Sequence, residues 1–208
     1  MINIIFKTPP MPELTGRKAA SHERILDVAS RAIRREGYGG VNVTEVMRAA
    51  QLTHGGFYAH FASRDALLAE AVQQAGADIA RVLREQGERL VARGASPFRA
   101  FVEIYLSLDH VHDCDNGCPV SLLSGEMFRQ APEVAEPSRQ LIVQMQARVK
   151  KALPAGAPHE AAWAVASALL GAVQLARALA GSDPKAAKAV LADTKKDLLA
   201  RYDSDRPQ

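Results

Sequence analysis

The stretch Asn42 to Phe61, NVTEVMRAAQLTHGGFYAHF, leaves the chain little freedom in how it folds. Asn42 stands at an N-cap position with Glu45 three residues on, the spacing at which each side chain satisfies the other's backbone N–H. Val43, Val46, Met47 and Ala50 recur at helical spacing and predict one short helix with an inward apolar face. Gln51-Leu52-Thr53 supplies the turn, and Thr53 is a favoured N-cap for a second helix from about His54 to His60. Gly55 and Gly56 cost a helix interior roughly 1 kcal/mol each relative to Ala. At the start of a helix they instead let backbone N–H groups approach a phosphate or a base edge. Two short helices joined by so tight a turn predict a helix-turn-helix, which lays its second helix in the major groove of DNA.

The rest of the chain reads as helices. The content is 48% hydrophobic but only 5% aromatic, with alanine and leucine supplying the bulk, which favours an all-helical fold. Pro9, Pro10 and Pro12 mark a loose arm ahead of the first helix, about Arg17 to Glu36, in which Ile25, Ala29, Ala32 and Ile33 form the apolar stripe. Arg24, Arg31, Arg34 and Arg35 fall on its other faces, and Gly37 is a C′ stop. Ser63 caps a long helix from Arg64 to about Arg93, with Asp65 in its first turn and a bend expected near Gly76 or Gly87. Ser96-Pro97 opens a helix to about Asp109, His110 to Gly117 reads as a polar loop, and Pro119 starts a helix ending near Gln130. Further helices are expected over Pro137 to Leu153, His159 to Ala180 and Pro184 to Arg201, the last capped by Asp183. The total is nine, with no strands and no internal repeats.

Net charge is only +3, but its distribution is uneven. Thr15 to Arg64 holds eight Lys/Arg against four Asp/Glu, so the positive excess sits at the N-terminal end, as in a basic reading head on a neutral body. Cys114 and Cys118 are the two cysteines, too few for a disulfide scaffold. The initial MINIIFK is too short for a secretory h-region. The apolar run Ala161 to Val173 is Ala-dominated and well short of the ~20 residues a membrane span needs. The expectation is a soluble cytoplasmic protein with a buried helix there.

Residues Ser21 to Leu68 resemble the TetR/AcrR (tetracycline-repressor) family of transcriptional regulators. The likeness rests on Gly37-Tyr38, the Val43–Ala50 helix, Gly55-Gly56-Phe57-Tyr58, His60-Phe61 and Ser63-Arg64-Asp65-Ala66-Leu67, with Arg64 where the family commonly has Lys. Beyond Leu68 the chain is similar to the family only in length and helicity. The resemblance implies an all-α protein: a three-helix DNA-binding domain over residues 17–66 and a helical effector-binding and dimerisation bundle over 67–208. It also implies a homodimer on a palindromic operator, a repressor released by a small-molecule effector. Two-fold pairing agrees with the physics, because one module of this size reads few base pairs.

For the DNA face the expected contacts are Thr44, Arg48, Thr53, His54, Gly55, Tyr58, His60 and Arg64, with Phe57 and Phe61 in the core. Either histidine could donate to phosphate or base edges, though His60 could equally pack or face solvent. Tyr58 and Arg64 suit phosphate, and Arg17 and Lys18 could form an arm. Candidates for an effector pocket are Tyr105, Cys118, Met127, Met145, Trp163 and Gln174, apolar walls with a few polar groups, each of which could equally be core. His110 to Cys118 carries imidazole and thiol ligands, yet the spacing matches no closed zinc motif, so no metal and no cofactor are expected. Cys118 before Pro119 falls at a helix N-terminus, where the dipole favours thiolate. The alternative function is therefore a thiol-based redox or electrophile-responsive regulator acting through Cys118, with Cys114 resolving it; a small unreactive core residue is the plainer reading. Residues 161–180, apolar on nearly every face, and Ala187, Val190, Leu191, Thr194 and Leu198 predict a four-helix dimer interface, or else the closure of a monomeric bundle. No nucleophile–base–orienter set, phosphate loop or metal motif points to an enzyme.

Overall fold

A computed structural model describes residues 16–203, and the proline-rich arm lies outside them. Nine α-helices and one 3₁₀ helix follow in order. They are α1 (Gly16–Gly40), α2 (Val43–Ala49), the 3₁₀ helix η1 (His54–Ala59), α3 (Arg64–Val91), α4 (Pro97–Tyr105), α5 (Leu108–His112), α6 (Pro119–Met127), α7 (Pro132–Ala152), α8 (Ala161–Ala180) and α9 (Pro184–Tyr202). The described residues contain no strand. The all-α class is as the composition predicts.

The caps read from the sequence hold the helix ends. Asn42 accepts from the backbone N–H groups of Thr44 (2.9 Å) and Glu45 (3.3 Å), the forward half of the expected capping box, while the Glu45 carboxylate does not return a bond to Asn42 N. Ser63 accepts from Ala66 N (2.9 Å), Ser96 from Arg99 N (3.0 Å) and Asp183 from Ala186 N (2.9 Å). Each such cap contributes about 1 kcal/mol. Thr53 differs: its side chain makes no cap bond, because η1 is a tight 3₁₀ turn rather than an α-helix.

Four other expectations are corrected. The polar loop His110–Gly117 is partly the helix α5, started by Ser107, whose side chain accepts from His110 N at 3.1 Å. α7 begins at Pro132, five residues early, and runs through Pro137. A proline this near the start forfeits only one intrahelical bond, and Ser138 beside it stays buried. α3 runs unbroken through Gly76 and Gly87, as one helix was expected to; a Cβ at Gly76 would collide with Leu141, so that glycine is what lets α3 and α7 approach closely. Arg34 is buried at 3% exposure, with its guanidinium 3.2 Å from Asp78 and donating to Ala75 O at 3.3 Å. Trp163 is half exposed on the outer side of α8 instead of lining an interior pocket.

α1 packs on α3, α3 on α7 and α4, and α8 most extensively on α9. Helix α8 is long and apolar enough by composition to cross a bilayer, but one side of it, including Val165, Leu169 and Val173, lies in the bundle core. The N-terminal helices meet the body at a dense joint. At Gly37 the backbone takes φ 73°, ψ 178°, a conformation an L side chain resists, and a Cβ would stand 2.6 Å from Glu126 Oε1. Tyr38 N then donates to Glu126 Oε2 (3.1 Å), and the buried Tyr38 hydroxyl meets Ser138 Oγ at 2.6 Å.

Candidate nucleic-acid interface

α2 is closed by a Schellman-type turn. Gln51 N donates to Arg48 O (3.0 Å) and Leu52 N to Met47 O (2.9 Å), with Gln51 at φ 60° in the left-handed region usually given to glycine. This turn fixes the angle between α2 and η1. Beneath it, Val46, Met47, Ala50, Phe57 and Phe61 are buried, the last two rings stacked at 5.7 Å. Phe57 also meets the edge of Tyr58 at 5.2 Å, so the buried ring carries the exposed one.

What remains outside is one face. Thr44 and Arg48 of α2, together with Thr53, His54, Gly55 and Tyr58, are all exposed. Thr44 Oγ1 and His54 Nδ1 lie 3.2 Å apart, tying the two helices together on that side. Tyr58 is 73% exposed, so its ring and hydroxyl stand free on this face. Nothing lies within 4 Å of the Cβ position of Gly55, so the backbone of the first η1 turn can be approached closely.

The remaining predicted contacts sit elsewhere. The Arg64 guanidinium folds back onto the end of α1, donating to Tyr38 O (2.5 Å) and to Val41 O from both Nε (3.2 Å) and Nη2 (3.1 Å). It therefore satisfies carbonyls that the Gly37 kink leaves open. His60 is half-buried behind the face, its ring centroid 5.9 Å from that of His22. Burial, aided by His22, Lys18 and Arg24, pushes its pKa below the ordinary histidine value. Arg17 and Lys18 lie in the first turn of α1 and are exposed.

Sequence reasoning missed the roles of His22 and Arg24 here. His22 is buried, stacks on Phe61 at 4.6 Å and meets Glu70 at 2.7 Å, tying α1 to α3 beneath η1. Arg24 reaches the carbonyl of Ala50 at the end of α2 (3.5 Å). The only available signal was helical spacing, since 22, 25 and 29 share one face of α1.

The six effector-pocket candidates do not converge on one cavity. Tyr105, Cys118, Met127 and Met145 are core residues at 5% exposure or less. Gln174 is exposed and donates to Ser121 O and Ser124 Oγ, both at 3.2 Å. Around Cys118, His110 engages both ring nitrogens, Nδ1 with Tyr105 O (2.7 Å) and Nε2 accepting from Cys118 N (3.0 Å). Burial depresses the His110 pKa to about 4 and fixes the neutral ring. Arg177 bridges this segment to α8 through His110 O (2.9 Å), Val111 O (3.2 Å) and Ser121 Oγ (2.8 Å).

Comparison with known proteins agrees with this geometry. Residues 25–71 match the family described as bacterial regulatory proteins, tetR family. A TetR-family transcriptional regulator from Cytophaga hutchinsonii superposes with TM-score 0.69 at 16% identity, covering 93% of this chain and 100% of that one. A TetR transcriptional regulator from Legionella pneumophila gives 0.68 at 18% identity, covering 92% and 100%. The reduced form of Escherichia coli NemR gives 0.66 at 19% identity, covering 85% and 95%. No curated protein matches the chain significantly. Residues 25–71 thus match the tetR family model, and the described residues as a whole have the fold of TetR-family transcriptional regulators.

Proposed function

We propose that this protein is a DNA-binding transcriptional regulator acting as a homodimeric repressor, released from a palindromic operator by a small-molecule effector. Residues 17–66 form its reading head and 67–208 its effector-binding and dimerisation body. It works in the cytoplasm, without a membrane and without enzymatic chemistry. The observation that carries the reading is the exposed face of Thr44, Arg48, Thr53, His54, Gly55 and Tyr58, held rigid by the Thr44–His54 contact. Arg48 and Tyr58 supply phosphate contacts and His54 reads base edges. Arg64 serves the head indirectly by holding the end of α1, and His60 supports η1 from behind.

Pairing through α8 and α9 is favoured by the apolar side chains left outside on α8, Trp163 at 50% and Leu175 at 57% exposure. A gel shift on the DNA upstream of the protein's own gene, at two salt concentrations, tests the reading. Retention that falls steeply with salt supports it, because phosphate contacts release counterions.

The alternative is regulation through Cys118. It is favoured by the position of Cys118 as the N-cap of α6 and by the hydrogen bond its backbone N–H donates to His110 Nε2. It is opposed by burial, at 3% exposure. Peroxide treatment that abolishes operator binding in the parent but not in Cys118→Ser selects this alternative; equal loss in both removes it.

A further inference from the structure

A cavity of about 420 Å³ lies between α3, α4 and α5, apart from the residues that the sequence suggested for an effector. Its floor is one stripe of α3, Ile79, Val82, Leu83 and Leu90, spaced so that a single helix face lines it, with Ile104 of α4 opposite. Its volume falls in the range of about 300–1,000 Å³ typical of small-molecule sites.

The charge of this cavity sets it apart. Glu103, Asp109 and Asp113 line it, and no lysine or arginine does. Asp109 and Asp113 make no ion pair among the described residues. Asp113 accepts from Asn116 alone, Oδ1 from its backbone N–H and side-chain amide, both at 3.1 Å, and Oδ2 from the same amide at 2.9 Å, all neutral donors that leave its charge uncompensated. Glu103 is held by Lys195 Nζ at 2.6 Å, a bond a competing cation can replace. His110 is also in the lining, but its ring is neutral and both nitrogens are bonded within the protein. The other cavities differ in sign: Arg84, Arg148 and Lys151 outweigh Glu88 between α3, α4 and α7, Lys188, Lys195 and Lys196 line the one along α9, and Glu136 balances Arg139 in the one between α6 and α7. On a chain of net charge +3, one apolar cavity with an all-acidic rim selects by charge.

We propose that this cavity binds an organic cation, an apolar body carrying one positive centre, with the body on the α3 stripe and the charge at Asp109 and Asp113. This deepens the reading of the chain as an effector-released regulator and rests on it for its biological sense. The cavity wall is connected to the DNA head at two points. Asp115, in the same turn as Asp113, accepts from Arg35 of α1 at 3.4 Å. α3 also carries Arg64 at its N-terminal end, on which the end of α1 hangs. A molecule wedged between α3 and the 113–117 turn bears on both.

The test uses the full chain and two ions of the same shape and opposite charge, tetraphenylphosphonium and tetraphenylborate, by isothermal titration calorimetry. The cation is expected to bind once per chain, with the anion at least tenfold weaker. Asp109→Asn with Asp113→Asn should weaken the cation at least tenfold, and Lys195→Gln, by freeing Glu103, should tighten it. Equal affinity for the two ions overturns the proposal, as does unchanged cation binding in the double variant. Val82→Trp, which fills the cavity without touching its charge, serves if the double variant fails to fold; unchanged cation binding there overturns the proposal equally. DNA retention without either ion is run alongside. A chain that retains DNA but shows no preference for the cation refutes this site alone; selective cation binding without DNA retention upholds the site and refutes the regulator.

Discussion

The hydroxyl groups of Tyr38 and Ser138 meet at 2.6 Å, both buried, where the end of α1 lies against α7. Together with Glu126 on Tyr38 N, which is partly buried, this contact couples the N-terminal head to the helical body. Tyr38→Phe is expected to cost about 1–3 kcal/mol in urea denaturation, since Ser138 is then left without that partner. Ser138→Ala should cost less on the Tyr38→Phe background than on the parent.

The same tyrosine sets a limit at high pH. Burial raises its pKa to about 12, so the folded protein holds the proton that the unfolded chain releases near 10. The stabilisation is complete below about pH 10 and is lost as pH rises through about 12. Thermal melts between pH 9 and 12 should show a shallower alkaline decline in Tyr38→Phe than in the parent.

His110 sets a limit at low pH. Its folded pKa of about 4 lies below the ordinary value near 6.5, so its contribution is present above 6.5 and lost as pH falls toward 4. His110→Gln should lower stability at pH 7 while flattening the decline between pH 7 and 4.5. An unchanged slope in thermal melts would remove His110 as a source of acid sensitivity.

Gln51 closes α2 at φ 60°, where glycine has no steric penalty. Gln51→Gly is therefore expected to raise the urea midpoint, by roughly 0.5–1 kcal/mol in stability. Gly37→Ala should act in the opposite direction and more strongly, because strain at φ 73° adds to collision with the Glu126 carboxylate.

Much of this was legible in the residues. Asn42, Ser63, Ser96 and Asp183 are local caps, and each acts within three residues of itself, so sequence alone sufficed to find them. The exposed positions of Thr44, Arg48, His54 and Tyr58 followed from the helical period. Arg64 and His60 did not, because their partners, Tyr38 O and His22, lie 26 and 38 positions away and only folding brings them near. Trp163 and Gln174 face outward on α8 for a related reason. A helix apolar on every side does not say which side the bundle will take. The acidic cavity was invisible because α3, α4 and α5 each contribute only part of it.

The most direct measurement is operator affinity as a function of salt for the parent, Arg48→Ala, Tyr58→Ala and His54→Ala. The parent should lose affinity steeply with log salt. Arg48→Ala and Tyr58→Ala should weaken all sequences about evenly, Arg48→Ala also reducing the salt slope by about one, and His54→Ala should relax sequence preference. Arg64→Ala should reduce both affinity and folding stability. DNA affinity unchanged in the Arg48, Tyr58 and His54 variants would contradict the assignment of this face to DNA.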